Sequence, residues 1–171
     1  IDSVLIQNYP NIELIINNDG SSDFDKPAIQ RYLKKHAKRN IKRIVVNNNP
    51  KNLGTVKNAN IALKLSKGKY ILLFAADDAM YDKKTVSRFI ESFESLPEKE
   101  LIATSQLGMY DQKLKKLKKY FVSESTKQKI LCLSPKELFG EIALKCIIPS
   151  AGTCYKRKIF EKYGYFDEKY K

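Results

Sequence analysis

Histidine is almost missing from this 171-residue sequence: there is one, His36, beside three cysteines (Cys132, Cys146, Cys154) that form no CxxC pair. A tetrahedral zinc site needs four such ligands at short spacings, and a Ser-His-Asp or Cys-His centre needs a histidine placed to move protons. His36 falls within a helical pattern, on or beside its apolar face, and reads as a packed or edge histidine. An odd cysteine count without metal spacing fits reduced thiols in a cytoplasmic compartment rather than a disulfide framework. Long apolar runs are lacking too. None nears the roughly 18–20 residues that cross a bilayer, so the chain reads as soluble. The opening "IDSVLIQNYP" has no basic leader, apolar core or small-residue cleavage site. Glycine-rich phosphate loops are also absent: no GxGxxG follows the first strand pattern, and "SKGKY" lacks the GxxxxGK[ST] frame. Dinucleotide-binding Rossmann and P-loop readings fall away with them.

Acidic residues are scarce, 19 against 32 Lys and Arg, which leaves a net charge of +13. Such an excess suits polyanions. The basic residues gather in "RYLKKHAKRNIKR" (31–43), the outer face and end of an amphipathic helix, and in "KLKKLKK" (113–119), an exposed loop or hairpin. Neither cluster interleaves aromatics as a single-strand binding surface does, so nucleic acid is not expected. Solvated lysine surface is the plain reading of both; peripheral association with an anionic membrane, at its cytoplasmic face, is the sharper one.

What is present is an alternation of strand and helix. "SVLIQN" reads as a helix tail stopped by "YPN", "IELIIN" (12–17) as a β-rich strand, and "NDGSSD" as a turn. A helix is predicted from about Lys26 to Arg39 with Pro27 in its first turn, then a strand at 41–47 and a helix from about Thr55 to Ser66 closed by Gly68. "KYILLFA" (69–75) has no polar alternation and fits a strand buried on both faces. Strands joined in this way imply a parallel sheet covered by helices, with the loops "NDGSSD", "NNPKNLG" and "AADDAM" gathered at its C-terminal edge. Further on, a helix near 83–95 carries Val86, Phe89, Ile90 and Phe93, with Asp82 as N-cap. "LIATSQLGMY" and "KKYFVSES" read as strands flanking the lysine turn, "SPKELFGEIAL" as a helix, "IIPSAGTCYK" as a strand, and "KRKIFEKYG" as a short helix ending at Gly164. One domain over 1–171 accounts for the whole.

The predicted sheet edge collects carboxylates and carboxamides: Asn18, Asp19 and Asp23, then Asn52, then Asp77 and Asp78. A carboxylate in the first loop can accept hydrogen bonds from a nucleobase or ribose, and an acidic pair can hold a hard divalent cation that bridges phosphate oxygens. Taken alone, Asp77 and Asp78 are explained slightly better as a strand-to-helix turn, with Asp78 or Asp82 as a cap; beside "NDGSSD" on the neighbouring loop, the site is the better reading.

Four segments in order resemble the family 2 glycosyltransferases: "SVLIQNYPN", "IELIINNDGSSD", "NLGTVKNANIALKLSKGKYILLFAADD" and "YKRKIFEKYGYFDEKY". The resemblance implies the GT-A fold, a Rossmann-like, mostly parallel central sheet flanked by helices, with a small antiparallel element in the C-terminal half. It implies an inverting enzyme that takes a nucleotide-sugar donor, a UDP-sugar in the first instance, together with Mn2+ or Mg2+. The acceptor would be a saccharide or lipid-linked hydroxyl, as in cell-envelope polysaccharide synthesis. Asn18, Asp19, Gly20, Ser21, Asn52, Gly54, Lys57, Asn60 and Asp77 match positions that bind the donor, and Asp77 and Asp78 those that bind the metal. The sequence departs from the family pattern at Ala75, where a third carboxylate is usual, and at Ala59, where an arginine is common and Lys57 could substitute. The family's first strand and its catalytic base are expected outside the sequence, the base beyond Lys171, so the chain by itself is expected to transfer sugar feebly or not at all. Asp167 and Glu168 lie in the G-x-F-D-E stretch and are not candidates for that base. Two rivals remain: a degenerate, non-catalytic GT-A module and a nucleotidyltransferase.

Overall fold

In the computed structural model, which describes residues 1–170, a short helix α1 (Asp2–Leu5) leads into β1 (Ile12–Asn18), α2 (Lys26–His36) and β2 (Ile41–Asn48). β1 and β2 pair in parallel, Leu14 against Ile44 and Asn18 against Asn48. α2 starts where Asp25 accepts from Ala28 N at 2.8 Å and Pro27 sits in the first turn, where no backbone donor is needed. Its basic last turn, Lys34, Lys35 and His36, complements the negative end of the helix dipole. The helix stops at His36, short of the expected Arg39, because the chain must turn into β2: Ile41 N donates to Lys38 O at 3.0 Å. His36 is exposed and stacks on Tyr32 with ring centres 4.4 Å apart, an edge histidine as its position suggested.

α3 (Thr55–Leu65) and β3 (Tyr70–Leu73) follow, then α4 (Thr85–Glu94) and β4 (Ile102–Thr104). Three expectations are corrected here. Gly68 does not close α3: the helix ends at Ser66 in an extended conformation, and Gly68 N donates to Glu13 Oε2 at 3.2 Å. β3 is shorter than expected and only Ile71 in it is buried. It also does not join β1 and β2 in one parallel sheet. It pairs antiparallel with β7 (Thr153–Lys156), which pairs antiparallel with β4, giving the order β3-β7-β4. The local pattern of a strand does not encode a partner some eighty residues away, and that partner was decided by packing.

α4 joins the two sheets. Its apolar stripe at i, i+3, i+4 and i+7 is buried as expected, but it faces two ways. Val86 and Ile90 pack into a core with Val4, Leu5, Ile12, Leu14, Leu33 and Val46. Phe89 and Phe93 close on Cys154 of β7. Complete burial of a side chain such as Leu33, 1% exposed, is worth about 1.5–3 kcal/mol. Three side chains also bolt the sheets at the turn after α3. Glu13 pairs with Arg43 and accepts from Lys67 N at 2.7 Å, Arg43 donates to Leu65 O, and Arg157 donates to Gly68 O and Ser66 Oγ, each at 2.8 Å.

The lysine-rich segment forms a hairpin of β5 (Gly108–Tyr110) and β6 (Leu117–Tyr120). "LIATSQLGMY" therefore divides into two strands, β4 and β5. "KKYFVSES" is strand only as far as Tyr120; Ser123 then caps α5 (Glu124–Leu131) by accepting from Thr126 N. α6 (Pro135–Leu144) opens with a capping box of Ser134 and Glu137, and α7 (Lys158–Tyr163) ends at Gly164 as expected. The three cysteines are free thiols, and burial pushes that of Cys154 up to about 12.

Candidate functional site

β1 ends in Asn17-Asn18 and β2 in Asn47-Asn48, and the parallel register sets Asn17 beside Asn47. From this pairing grows a lattice of carboxamides. Asn47 Nδ2 donates to Asn17 Oδ1 (2.6 Å) and to Asn49 Oδ1 (3.0 Å). Asn17 Nδ2 donates to Asn58 Oδ1 (2.6 Å) on the first turns of α3. Asn49, 5% exposed, donates to Asn58 Oδ1 at 3.0 Å and to Asp19 Oδ1 at 3.2 Å. A carboxamide carries both donors and an acceptor, so asparagines can satisfy one another without placing like charges side by side. Asn17, Asn47, Asn49 and Asn58 were not candidate residues from the sequence. The clusters "NNDG" and "NNNP" carried the signal, but turn-forming propensity explained them first.

The lattice ends on Asp19. Its Oδ1 accepts from Leu53 N and its Oδ2 from Gly54 N, both at 2.9 Å, so one carboxylate clips the loop after β2 to the loop after β1. Gly20 makes that approach feasible. Its φ is +77°, and a Cβ there would lie 2.3 Å from the carbonyl carbon of Lys51. Asn18 turns back on its own loop: oriented so that both ends of the amide are satisfied, it accepts from Ser21 N at 2.9 Å and donates to Ser21 Oγ at 3.0 Å. Asn52 Oδ1 accepts from Gly54 N at 3.0 Å, and Gly54 (φ +87°, ψ 159°) caps α3 in a conformation essentially restricted to glycine. Lys57 is exposed in the first turn of α3. The expected meeting of the first two loops is thus present atom by atom.

The third loop is held differently. Asp78 closes a turn on Ala75: its backbone N donates to Ala75 O at 3.2 Å and its Oδ2 accepts from Ala75 N at 3.1 Å. Asp77 is exposed and makes no hydrogen bond or ion pair among the described residues. The two carboxylates therefore avoid the desolvation cost that a wholly buried strand end would have imposed. Among the described residues no hydrogen bond joins this loop to Asp19. The chain just beyond it is gripped by the end of α1. Gln7, 3% exposed, donates to Asp82 O (2.6 Å) and accepts from Val86 N (3.0 Å), and Asn8 N donates to Lys83 O (2.8 Å). Asp82, the expected N-cap, is not the cap: α4 starts two residues later than that predicts, with Lys84 at the N-cap. Asp82 accepts from Lys84 N at 2.8 Å and pairs with Arg88, and these donors hold its carboxyl below the usual range.

Asn60 has a different place from the one expected of a donor-binding residue. It is 2% exposed, donates to Phe166 O (2.8 Å) and Glu168 Oε1 (3.1 Å), and accepts from Phe166 N (3.1 Å). Its side chain is saturated by the G-x-F-D-E stretch, which it fastens to α3. Among the described residues no group of three or more His, Cys, Asp and Glu gathers at metal-binding distances. A depression of about 640 Å³ lined by Glu98, Lys99, Leu101, Lys158, Glu161 and Lys162 includes none of the site residues. No helix among the described residues is long and apolar enough to cross a membrane.

The comparisons agree on one family. The profile described as Glycosyl transferase family 2 matches residues 1–164. An uncharacterized glycosyltransferase of Rickettsia prowazekii (strain Madrid E) is 30% identical over 173 residues, with 100% of this chain and 49% of the relative covered. Another, of Rickettsia typhi (strain ATCC VR-144 / Wilmington), is 31% identical over 176 residues, again with 100% and 49% covered. The crystal structure of S. aureus TarS 1–349 superposes with a TM-score of 0.54 at 16% identity, over 99% of this chain and 46% of that one, a likeness of fold alone. The chain spans about half the length of the curated relatives it matches. The mixed α/β architecture is the GT-A type that the motifs implied. With the family profile running across both clipped loops and the acidic turn, the chain belongs to the family 2 glycosyl transferases.

Proposed function

We propose that the chain is the donor-binding core of an inverting, metal-dependent glycosyltransferase that uses a UDP-sugar and a saccharide or lipid-linked acceptor. The observation that carries this reading is the fixed carboxylate of Asp19. It accepts three hydrogen bonds from the protein, from Leu53 N, Gly54 N and Asn49 Nδ2, so its orientation is set before any ligand arrives. A carboxylate offers about four acceptor positions, and the remaining one suits the imide N–H of uracil. Asn18, Gly20, Ser21, Asn52 and Gly54 build the loops around it, and Lys57 supplies a cation for the diphosphate.

Asp77 and Asp78 are the residues that would hold the cation. Their all-oxygen donor set would fit Mg2+ or Mn2+, hard cations that take oxygen ligands. When bound, such an ion neutralises the departing diphosphate. Asp77 meets it with an unengaged carboxylate; Asp78 has one oxygen left after its turn. Asn60 acts as a positioning residue for 166–168. Glu168 is engaged by that clamp, so neither it nor Asp167 is assigned as the base.

Calorimetric titration with UDP, with and without Mn2+, tests the reading. Binding that strengthens at least tenfold with Mn2+, and loses that gain in Asp77→Asn/Asp78→Asn, is expected. Ala75, which leaves the acidic turn without a third carboxylate, favours a non-catalytic module as the second reading. UDP binding that ignores the metal selects that module, and no heat from UDP in either condition overturns the proposal.

A further inference from the structure

We propose that the β5–β6 hairpin docks the protein on an anionic membrane surface, with Leu114 as the inserted tip. Five lysines, Lys113, Lys115, Lys116, Lys118 and Lys119, lie on the turn and β6, and none has a salt-bridge partner among the described residues. The one acid in the segment, Asp111, is engaged in building the turn: its Oδ1 accepts from Lys115 N (2.8 Å) and Lys116 N (3.2 Å). Leu114 stands at the tip, 57% exposed, with φ +52°. A left-handed conformation is unfavourable for leucine, and glycine or asparagine would serve the turn better. At that exposure, little packing among the described residues repays the choice. Met109, Leu117 and Tyr120 extend the exposed apolar surface along the hairpin, at 43%, 36% and 55% exposure.

Aliphatic side chains ringed by lysines match the boundary between acyl chains and anionic headgroups. The leucines enter, the lysine stems lie along them, and the ammonium groups reach the phosphates. Tyrosine suits the same boundary, with an apolar ring and a polar tip. A nucleic acid would instead seek aromatic platforms, and the tip offers leucine. The hairpin is rooted where Phe121 N donates to Leu107 O and Gln106 Nε2 to Val122 O, both at 2.8 Å, so the docking element has a fixed base.

Co-sedimentation of the full chain with phosphatidylglycerol-containing vesicles tests this without donor or metal, independently of the sugar-transfer reading. Each lysine near the surface is worth about fivefold in partitioning, so Lys115→Glu/Lys116→Glu should weaken binding about 25-fold or more. Leu114→Ser should weaken it while leaving its salt dependence unchanged. Circular dichroism confirms that both variants fold. Binding to pure phosphatidylcholine vesicles should be absent, and 1 M salt should abolish binding to anionic ones. Equal loss on Lys34→Glu/Lys38→Glu would show that net charge alone acts, and would overturn the assignment. So would inert vesicles, or single-stranded DNA binding through the same lysines with vesicles unbound.

Discussion

Replacing Gly20 by alanine should damage the site far more than a surface loop substitution does. A methyl at this position meets Lys51 C at 2.3 Å and Asn52 N at 2.6 Å, both backbone atoms that cannot rotate away. Ordinary contact begins near 3.4 Å, so the two loops must part by about 1 Å. The bonds from Leu53 N and Gly54 N to Asp19, now 2.9 Å, would lengthen past hydrogen-bonding range. Strain at positive φ costs about 1–2 kcal/mol, and two charge-assisted bonds, discounted because water replaces them in part, about 2–3 kcal/mol more. The sum, about 3–5 kcal/mol, lowers the melting temperature by roughly 10 °C in a domain of this size. Gly54→Ala is the internal comparison. Its φ is also positive, but nothing lies within 4 Å of its Cβ position, so it carries only the strain, about 1–3 kcal/mol. Thermal unfolding of both variants, followed by circular dichroism, separates close approach from backbone strain. A Gly20→Ala melt within about 3 °C of the parent, or no lower than that of Gly54→Ala, would refute the clipped-loop argument.

Asn60→Ala should release the C-terminal stretch. The substitution strands the Phe166 N–H and C=O and should cost about 2–3 kcal/mol. Hydrogen exchange over 164–170 should quicken while 12–18 keeps its protection; unchanged exchange at 166 would contradict the clamp. Glu13 predicts a pH effect. Burial pushes its carboxyl up, but the Lys67 N–H, Arg43 and the Gly68 N–H outweigh burial and hold it below its ordinary value of 4.5. A pKa lowered by folding adds stability above the unfolded value, and that stability fades as pH falls through the folded value. Denaturant midpoints of the parent should therefore drop more steeply below about pH 4.5 than those of Glu13→Gln. Parallel profiles would remove Glu13 from the account.

The parts of the site legible in the sequence were those whose chemistry is local. "NDGSSD" announced a turn with an acid in it, and Gly20, Asn52 and Gly54 were readable as loop builders because few residue types tolerate such backbones. The helices α2, α3, α4 and α6 were legible for the same reason, since periodicity and caps act within a few residues. Asn60 shows the limit. Two residues along α3 from the lattice residue Asn58, and so on the other side of the helix, it looks like another loop-shaping asparagine, yet its partners lie 106 and 108 residues away. Gln7 and Asn49 were unreadable for a like reason: a buried carboxamide is recognised by what satisfies it, and those partners come from other elements.

The sequence by itself determined the α/β class, the family, the places of most helices and the positions of the acids at the ends of β1 and β3, because periodicity, turn chemistry and ordered motifs are properties of neighbours along the chain. The tertiary structure alone decided that β3 takes β7 as its partner, that α4 divides its apolar stripe between two cores, and that Asp19 is anchored by a lattice of asparagines while Asp77 stays open. Those outcomes depend on which distant surfaces bury one another and which polar groups must then be satisfied. That balance exists only once the chain has closed on itself.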